Sequence, residues 1–138
     1  MTYENIELVD GDWTLQQLPI DRDVLARYAS ASGDRNPLHL DTDAARAAGE
    51  EDVIAHGMLS MAYIGRLLTE AFPHADLVDW KLRFVAKTPL GAQPVAYARV
   101  TADSDDGFGV EIRTELRDGT TTSRGDARFS FKRLGDEK

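Results

Sequence analysis

Gly57-Met58-Leu59-Ser60-Met61-Ala62-Tyr63-Ile64-Gly65-Arg66-Leu67-Leu68-Thr69-Glu70-Ala71-Phe72 is the stretch whose reading decides the fold. Met58, Leu59, Met61, Ala62, Ile64, Leu67, Leu68, Ala71 and Phe72 cover most of the circumference of a helix, and Ser60, Tyr63, Arg66 and Glu70 leave only a narrow polar stripe. A helix that is apolar nearly all round belongs in an interior. Pro73 stops it, because proline has no N–H to donate and its ring clashes with the preceding turn.

Beyond Pro73 the hydrophobic period falls to two. Trp80, Leu82, Phe84 and Ala86 alternate with Lys81, Arg83 and Val85, and Val95 and Tyr97 alternate with Ala96, Ala98 and Val100. Phe108, Val110, Ile112, Thr114 and Leu116 alternate with Glu111, Arg113 and Glu115, and Ala127, Phe129 and Phe131 with Asp126, Arg128 and Ser130. This is the signature of half-buried strands. Asp105-Asp106-Gly107 and Asp118-Gly119 supply the hairpin turns. One buried helix followed by about four antiparallel strands predicts an α+β fold, in which an antiparallel sheet wraps a single long central helix.

Upstream, Trp13–Leu18 reads as a short first strand. Asp21 is a good N-cap for a helix carrying Val24, Leu25, Tyr28 and Ala29 at helical spacing, and Gly33 ends it. Asp34 to Leu40 contains Pro37 and lies outside any helix interior, whereas Ala-rich Thr42–Ala48 reads as a short helix closed by Gly49. Nothing repeats at a fixed period, so residues 1–138 read as one domain, with Gly135 to Lys138 as a frayed tail.

Composition narrows the function classes. Hydrophobic residues make up 42% of the 138 residues and charged residues 29%, enough for one globular core in a chain small enough to gain from a second subunit. There are no cysteines, which excludes disulfides and thiolate metal sites and is compatible with a reducing, cytoplasmic location. Met1 to Asp10 lacks the basic start and apolar run of a signal peptide, and no segment reaches the roughly 18 apolar residues of a membrane span. A formal net charge of -8 argues against nucleic acid and membrane surfaces as partners.

The densest polar cluster is Ser32-Gly33-Asp34-Arg35-Asn36-Pro37-Leu38-His39-Leu40-Asp41. Asp34 and His39 are five positions apart across a loop turned by Asn36-Pro37, so both side chains can face one cavity. A carboxylate and an imidazole flanking one water form a general acid–base unit, which adding water to a carbon–carbon double bond requires. The same residue types also build ordinary turns: Asp34 as an Asx-turn residue or cap and His39 as a histidine bonded within the loop remain open readings. A second cluster, Ala55-His56-Gly57-Met58, begins the buried helix, where free N–H groups and the helix dipole can hold a thioester carbonyl as it gains enolate charge. Gly57 equally reads as mere room for the helix to enter the core.

Other chemistries have less support. His39, His56 and His74 lack the spacing of a helical ligand pair, so no metal is expected; His39 with Asp41 and His56 could converge only through folding. Ser32 and Ser60 are not in a nucleophile elbow. Arg83 reads as a surface charge, or as a contact for an anionic carrier.

Together, Tyr28-Ala29, Ser32-Gly33-Asp34, Asn36-Pro37-Leu38-His39 and Asp41 resemble the hydratase-2 motif of the MaoC-like family, and Ile54-Ala55-His56-Gly57-Met58-Leu59 resembles that family's approach to its central helix. The resemblance implies the hot-dog fold and the interconversion of trans-2-enoyl and (3R)-3-hydroxyacyl thioesters, of CoA or an acyl-carrier protein, without a cofactor. It implies Asp34 and His39 as the catalytic pair, Asn36 as an orienting residue, Gly57 as the oxyanion donor with His56 beside it at the substrate, and Ser60 as possible support. Some relatives carry a serine six residues after the histidine of the His-Gly-Met segment; that position is Ala62 here. Tyr28–Pro89 is most similar to the B-type subunit of mycobacterial 3-hydroxyacyl-carrier-protein dehydratases, which works beside a partner lacking the pair. A homodimer, or a heterodimer with a related hot-dog subunit, is therefore expected. The rival readings are an acyl-CoA thioesterase on the same fold and a subunit that mainly binds acyl chains.

Overall fold

A computed structural model describes residues 6–131, so the tail expected at Gly135 to Lys138 lies outside the described residues. The elements run β1 (Ile6–Val9), β2 (Asp12–Gln16), α1 (Arg22–Ser32), α2 (Thr42–Ala47), α3 (Gly57–Ala71), β3 (Ala75–Phe84), β4 (Val95–Asp103), β5 (Gly107–Glu115) and β6 (Thr121–Phe131), with one 3-10 turn at Pro37–His39. All six strands form one antiparallel sheet in the order β1-β2-β4-β5-β6-β3.

The sheet curls around α3, which packs on its inner face. Ile64, Leu67 and Leu68 on one face of α3 are fully buried against Leu15, Ala96, Ala98, Val110, Ile112 and Ala127. Each such side chain contributes about 2 kcal/mol over its exposed state. Phe72 caps the helix and packs on the rings of Trp13, Phe108 and Phe129 at 6.1, 5.0 and 5.2 Å between centroids. A second, smaller cluster of Ile20, Leu25, Ala45, Val53, Ala55 and Leu59 ties α1 and α2 to the first turn of α3.

Three expectations need correction. The first strand is two: Asp10 and Gly11 both take positive φ (52° and 85°) and join β1 to β2 as a two-residue hairpin, and β2 stops at Gln16, leaving Leu18 outside it. Positive φ at both central residues is the type I′ geometry whose twist matches paired strands. β3 begins at Ala75 rather than Trp80, because a bulge between Leu77 and Asp79 breaks the alternation that marks its second half. Finally, α3 is not covered all round: Met58 is 55% exposed and Ala62 is exposed, so one apolar flank of the helix lies open in this chain.

Candidate functional site

α1 is capped at its start by Asp21, whose carboxylate accepts the Val24 N–H at 2.9 Å, and ends at Gly33 in the left-handed region (φ 80°). The chain then turns through three consecutive short-range bonds. The Asp34 N–H donates to Ser32 Oγ at 3.1 Å, the Asn36 N–H to Asp34 Oδ1 at 3.2 Å, and the Leu38 N–H to Asn36 Oδ1 at 3.0 Å. Such side-chain bonds to nearby N–H groups give the backbone an alternative to helix. They present Asp34 at the end of α1 and start the 3-10 turn that carries His39. Asn36 therefore acts on His39 through the turn it caps. Asp41 closes the segment as the N-cap of α2, accepting from Asp43 and Ala44.

The segment leading to α3 passes directly against this turn. The Ile54 N–H donates to the Leu38 carbonyl at 3.3 Å, and His39 Nδ1 lies 2.8 Å from the Ile54 carbonyl. A carbonyl only accepts, so Nδ1 carries the proton and the neutral ring keeps its lone pair on Nε2. Two residues on, the His56 ring stacks on His39 with centroids 3.9 Å apart and planes at 27°, and its Nε2–H donates to the Asp34 carbonyl at 3.0 Å. A carboxylate oxygen of Asp34 and a ring nitrogen each of His39 and His56 lie within 4.8 Å of one another. A water bonded to carboxylate and imidazole at ordinary length and tetrahedral angle spans about 4.6 Å, so the two groups lie within reach of a single bridging water.

This cluster also carries the donor types of a metal site, but the geometry is against one. An imidazole binds a metal along the in-plane lone pair of one nitrogen. The two rings are nearly parallel, so their lone pairs do not converge, and His56 Nε2 is already committed to the Asp34 carbonyl. Its Nδ1 is buried without a partner and sealed from any ion outside.

α3 begins beside the cluster. His56 occupies its N-cap position without a capping side-chain bond, and among the described residues the Gly57 and Met58 N–H groups make no hydrogen bond. Gly57 is exposed, and a Cβ there would meet the Phe84 ring at 3.4 Å. Asp34 is exposed and His39 half-buried, so both members of the pair, like Gly57, are reached by solvent.

Ser60 is buried one turn into α3, and among the described residues its hydroxyl makes no bond to Asp34, His39 or His56. Tyr28, on the buried stripe of α1, is a site residue beyond those expected: it meets His56 edge-on at 4.8 Å. Burial, with the nearby Asp34 charge adding to it, raises its phenol above the usual range. The signal was a polar-tipped aromatic on an apolar stripe one turn before the Asp34 loop. Arg83 makes no ion pair among the described residues, and His74 lies at the far end of α3 against Phe108 and Phe131.

An antiparallel sheet wrapped round one helix, with the polar loop and the helix start side by side, defines a protein of the hot-dog fold. Residues 9–123 match the MaoC-like domain family, and the chain belongs to that family. It is 32% identical over 92 residues to the mitochondrial 3-hydroxyacyl-[acyl-carrier-protein] dehydratase of Arabidopsis thaliana, covering 67% of this chain and 55% of that one. It is 35% identical over 89 residues to 3-hydroxyacyl-thioester dehydratase X of Mycobacterium tuberculosis, covering 64% of this chain and 30% of that one. The matches thus span about half or less of these relatives' length. Among solved structures, the (R)-hydratase from A. caviae involved in PHA biosynthesis superposes with a TM-score of 0.80 at 23% identity over 96% of this chain and 98% of that one. The ChsH1-ChsH2 complex from Mycobacterium tuberculosis gives 0.77 at 21% over 95% and 98%. At these identities the structures establish the fold.

Proposed function

We propose that this chain is a hydro-lyase that interconverts trans-2-enoyl and (3R)-3-hydroxyacyl thioesters, with Asp34 and His39 as the catalytic pair. The observation that carries this reading is the placement of the Asp34 carboxylate and the His39 imidazole within one water's span, beside unpaired N–H groups at the start of α3. The names of the two relatives, both 3-hydroxyacyl dehydratases, support it.

In hydration the thioester carbonyl lies against the Gly57 N–H, at the positive end of the α3 dipole. Asp34 and His39 hold one water on one face of the double bond. The pair removes a proton from that water as its oxygen bonds to the β-carbon. The electron pair of the double bond moves toward the carbonyl, where the backbone donor stabilises the oxyanion. A proton then returns from the pair to the α-carbon. Dehydration runs the same steps backwards, and the α-proton is removable only while the oxyanion is held. The bare Nε2 of His39 makes it competent to accept the water's proton, because Nδ1 is fixed on the Ile54 carbonyl.

The working unit is a dimer of hot-dog chains, homo- or heterodimeric, with this chain supplying the pair. Met58 (55% exposed) and Phe84 (47%) leave apolar surface beside Gly57, Val78 (51%) is exposed toward the other end of β3, and β3 is a sheet edge with no strand on its outer side among the described residues. A second subunit would cover that surface and complete the acyl site.

The test is hydration of crotonyl-CoA by the purified chain, alone and with a co-encoded hot-dog chain, followed by loss of enoyl absorbance and chiral analysis of the product. The proposal requires the (3R) product. Release of free CoA without enoyl consumption would favour a thioesterase. Inactivity under both conditions would overturn the reading.

A further inference from the structure

His56 touches both members of the pair, yet the chemistry above uses neither of its nitrogens. It is only 2% exposed, so no open face remains for a substrate. Its Nε2–H holds the main-chain carbonyl of Asp34 at 3.0 Å, twenty-two residues away in sequence, while its ring lies flat on His39 at 3.9 Å. Asp34 and His39 sit on different segments, the end of α1 and the 3-10 turn, and among the described residues His56 is the side chain shown in contact with both. We infer that His56 is a positioning residue, a permanently neutral imidazole that fixes the separation of Asp34 and His39 rather than a ligand of the substrate.

Geometry argues for the neutral form. A carbonyl only accepts, so the ring's one proton is on Nε2 and Nδ1 is bare. That Nδ1 is buried with no partner, and a second proton there would face no acceptor. Tyr28 from α1, Asp34 from the loop and His39 from the 3-10 turn are the titratable groups facing the ring. Burial is the largest influence and lowers its proton affinity; the His39 charge acts the same way, and the bond to Asp34 with its carboxylate acts in opposition. A neutral neighbour leaves His39 free to carry the transferred proton without like-charge repulsion across the stack. The shape of the stack also removes rotational freedom from the one imidazole that must hold the water.

The kinetic arm of the test rests on the hydration reading; the spectroscopic arm does not. His56→Phe keeps an aromatic face and removes the donor, whereas His56→Gln keeps a donor within reach of the carbonyl and removes the face. With crotonyl-CoA, His56→Phe is expected to lose roughly 10- to 100-fold in kcat with KM within about threefold, since small misplacements act on turnover. His56→Gln is expected to recover several-fold of that loss. Wild-type kcat in His56→Phe, or a loss carried by KM in both variants, would overturn the inference. Independently, nitrogen-15 spectra of the histidine side chains in the unmodified protein should show His56 as the Nε2–H tautomer, unchanged from about pH 8 to about pH 6, where an ordinary histidine titrates. Titration of His56 in that window would overturn the inference even if the variants fail to fold. If the unmodified protein hydrates no enoyl thioester, the functional reading fails while the spectra still decide the role of His56.

Discussion

At the scale of single residues, the site is held by backbone carbonyls that determine where protons sit. Ile54 fixes the tautomer of His39 and Asp34 fixes that of His56. This has a consequence for stability. The proton affinity of His56 is lowered in the fold, chiefly by burial, so as pH falls the unfolded chain, with an ordinary histidine near 6.5, takes up a proton first. The stability linked to His56 is therefore complete above that pH and declines as pH drops through the window below it. Urea unfolding of wild type and His56→Gln at about pH 7.5 and about pH 5.5 should show a smaller acid loss in the variant; equal losses would refute the linkage. Gly57→Ala separates fold from chemistry. The added methyl would contact Phe84 at 3.4 Å, ordinary packing for an exposed first-turn position, so thermal stability should hold. Turnover should fall at least tenfold as the methyl obstructs the carbonyl's approach to the backbone donor. Asp34 and His39 were legible in the sequence because the bonds that present them are local, spanning two residues at a time. The places of Tyr28 and His56 were not, since each depends on a contact between segments that only the fold brings together.

At the scale of elements, α1, α2 and α3 were legible almost to the residue because caps and glycines punctuate them: Asp21 and Gly33 act as read, and the structure adds Asp41 as the N-cap of α2. The β1–β2 hairpin was missed although Asp10-Gly11 is a strong turn signal, because β1 has only four residues and its alternation is too short to register. The exchange of faces at the β3 bulge hid that strand's first half for a related reason. One packing constraint was invisible in any local pattern. A Cβ on Gly125 would fall 1.9 Å from the Lys81 carbonyl oxygen, a backbone atom on β3 that cannot step aside. Gly125→Ala should therefore loosen the β3–β6 pairing and cost on the order of 3 kcal/mol or more, measured by denaturant unfolding. An unchanged midpoint would contradict this register of the two strands.

At the scale of the whole molecule, the uncovered flank of α3 and the free edge of β3 explain why α3 reads as apolar nearly all round while the structure buries only part of it. On the proposed dimer, that pattern fits an assembly in which a second chain supplies the rest of the cover. Val78, 51% exposed on β3 and away from the pair in sequence, tests this. Val78→Glu should shift sedimentation from dimer toward monomer at micromolar concentration and lower turnover in step, and a monomeric wild type would contradict it. The central claim concerns the pair, and its most direct measurement is crotonyl-CoA hydration by Asp34→Asn and His39→Ala alongside wild type, with melting curves for all three. Each substitution should lower turnover by about two orders of magnitude or more while the melting transition stays cooperative. Wild-type rates in both variants would contradict the account.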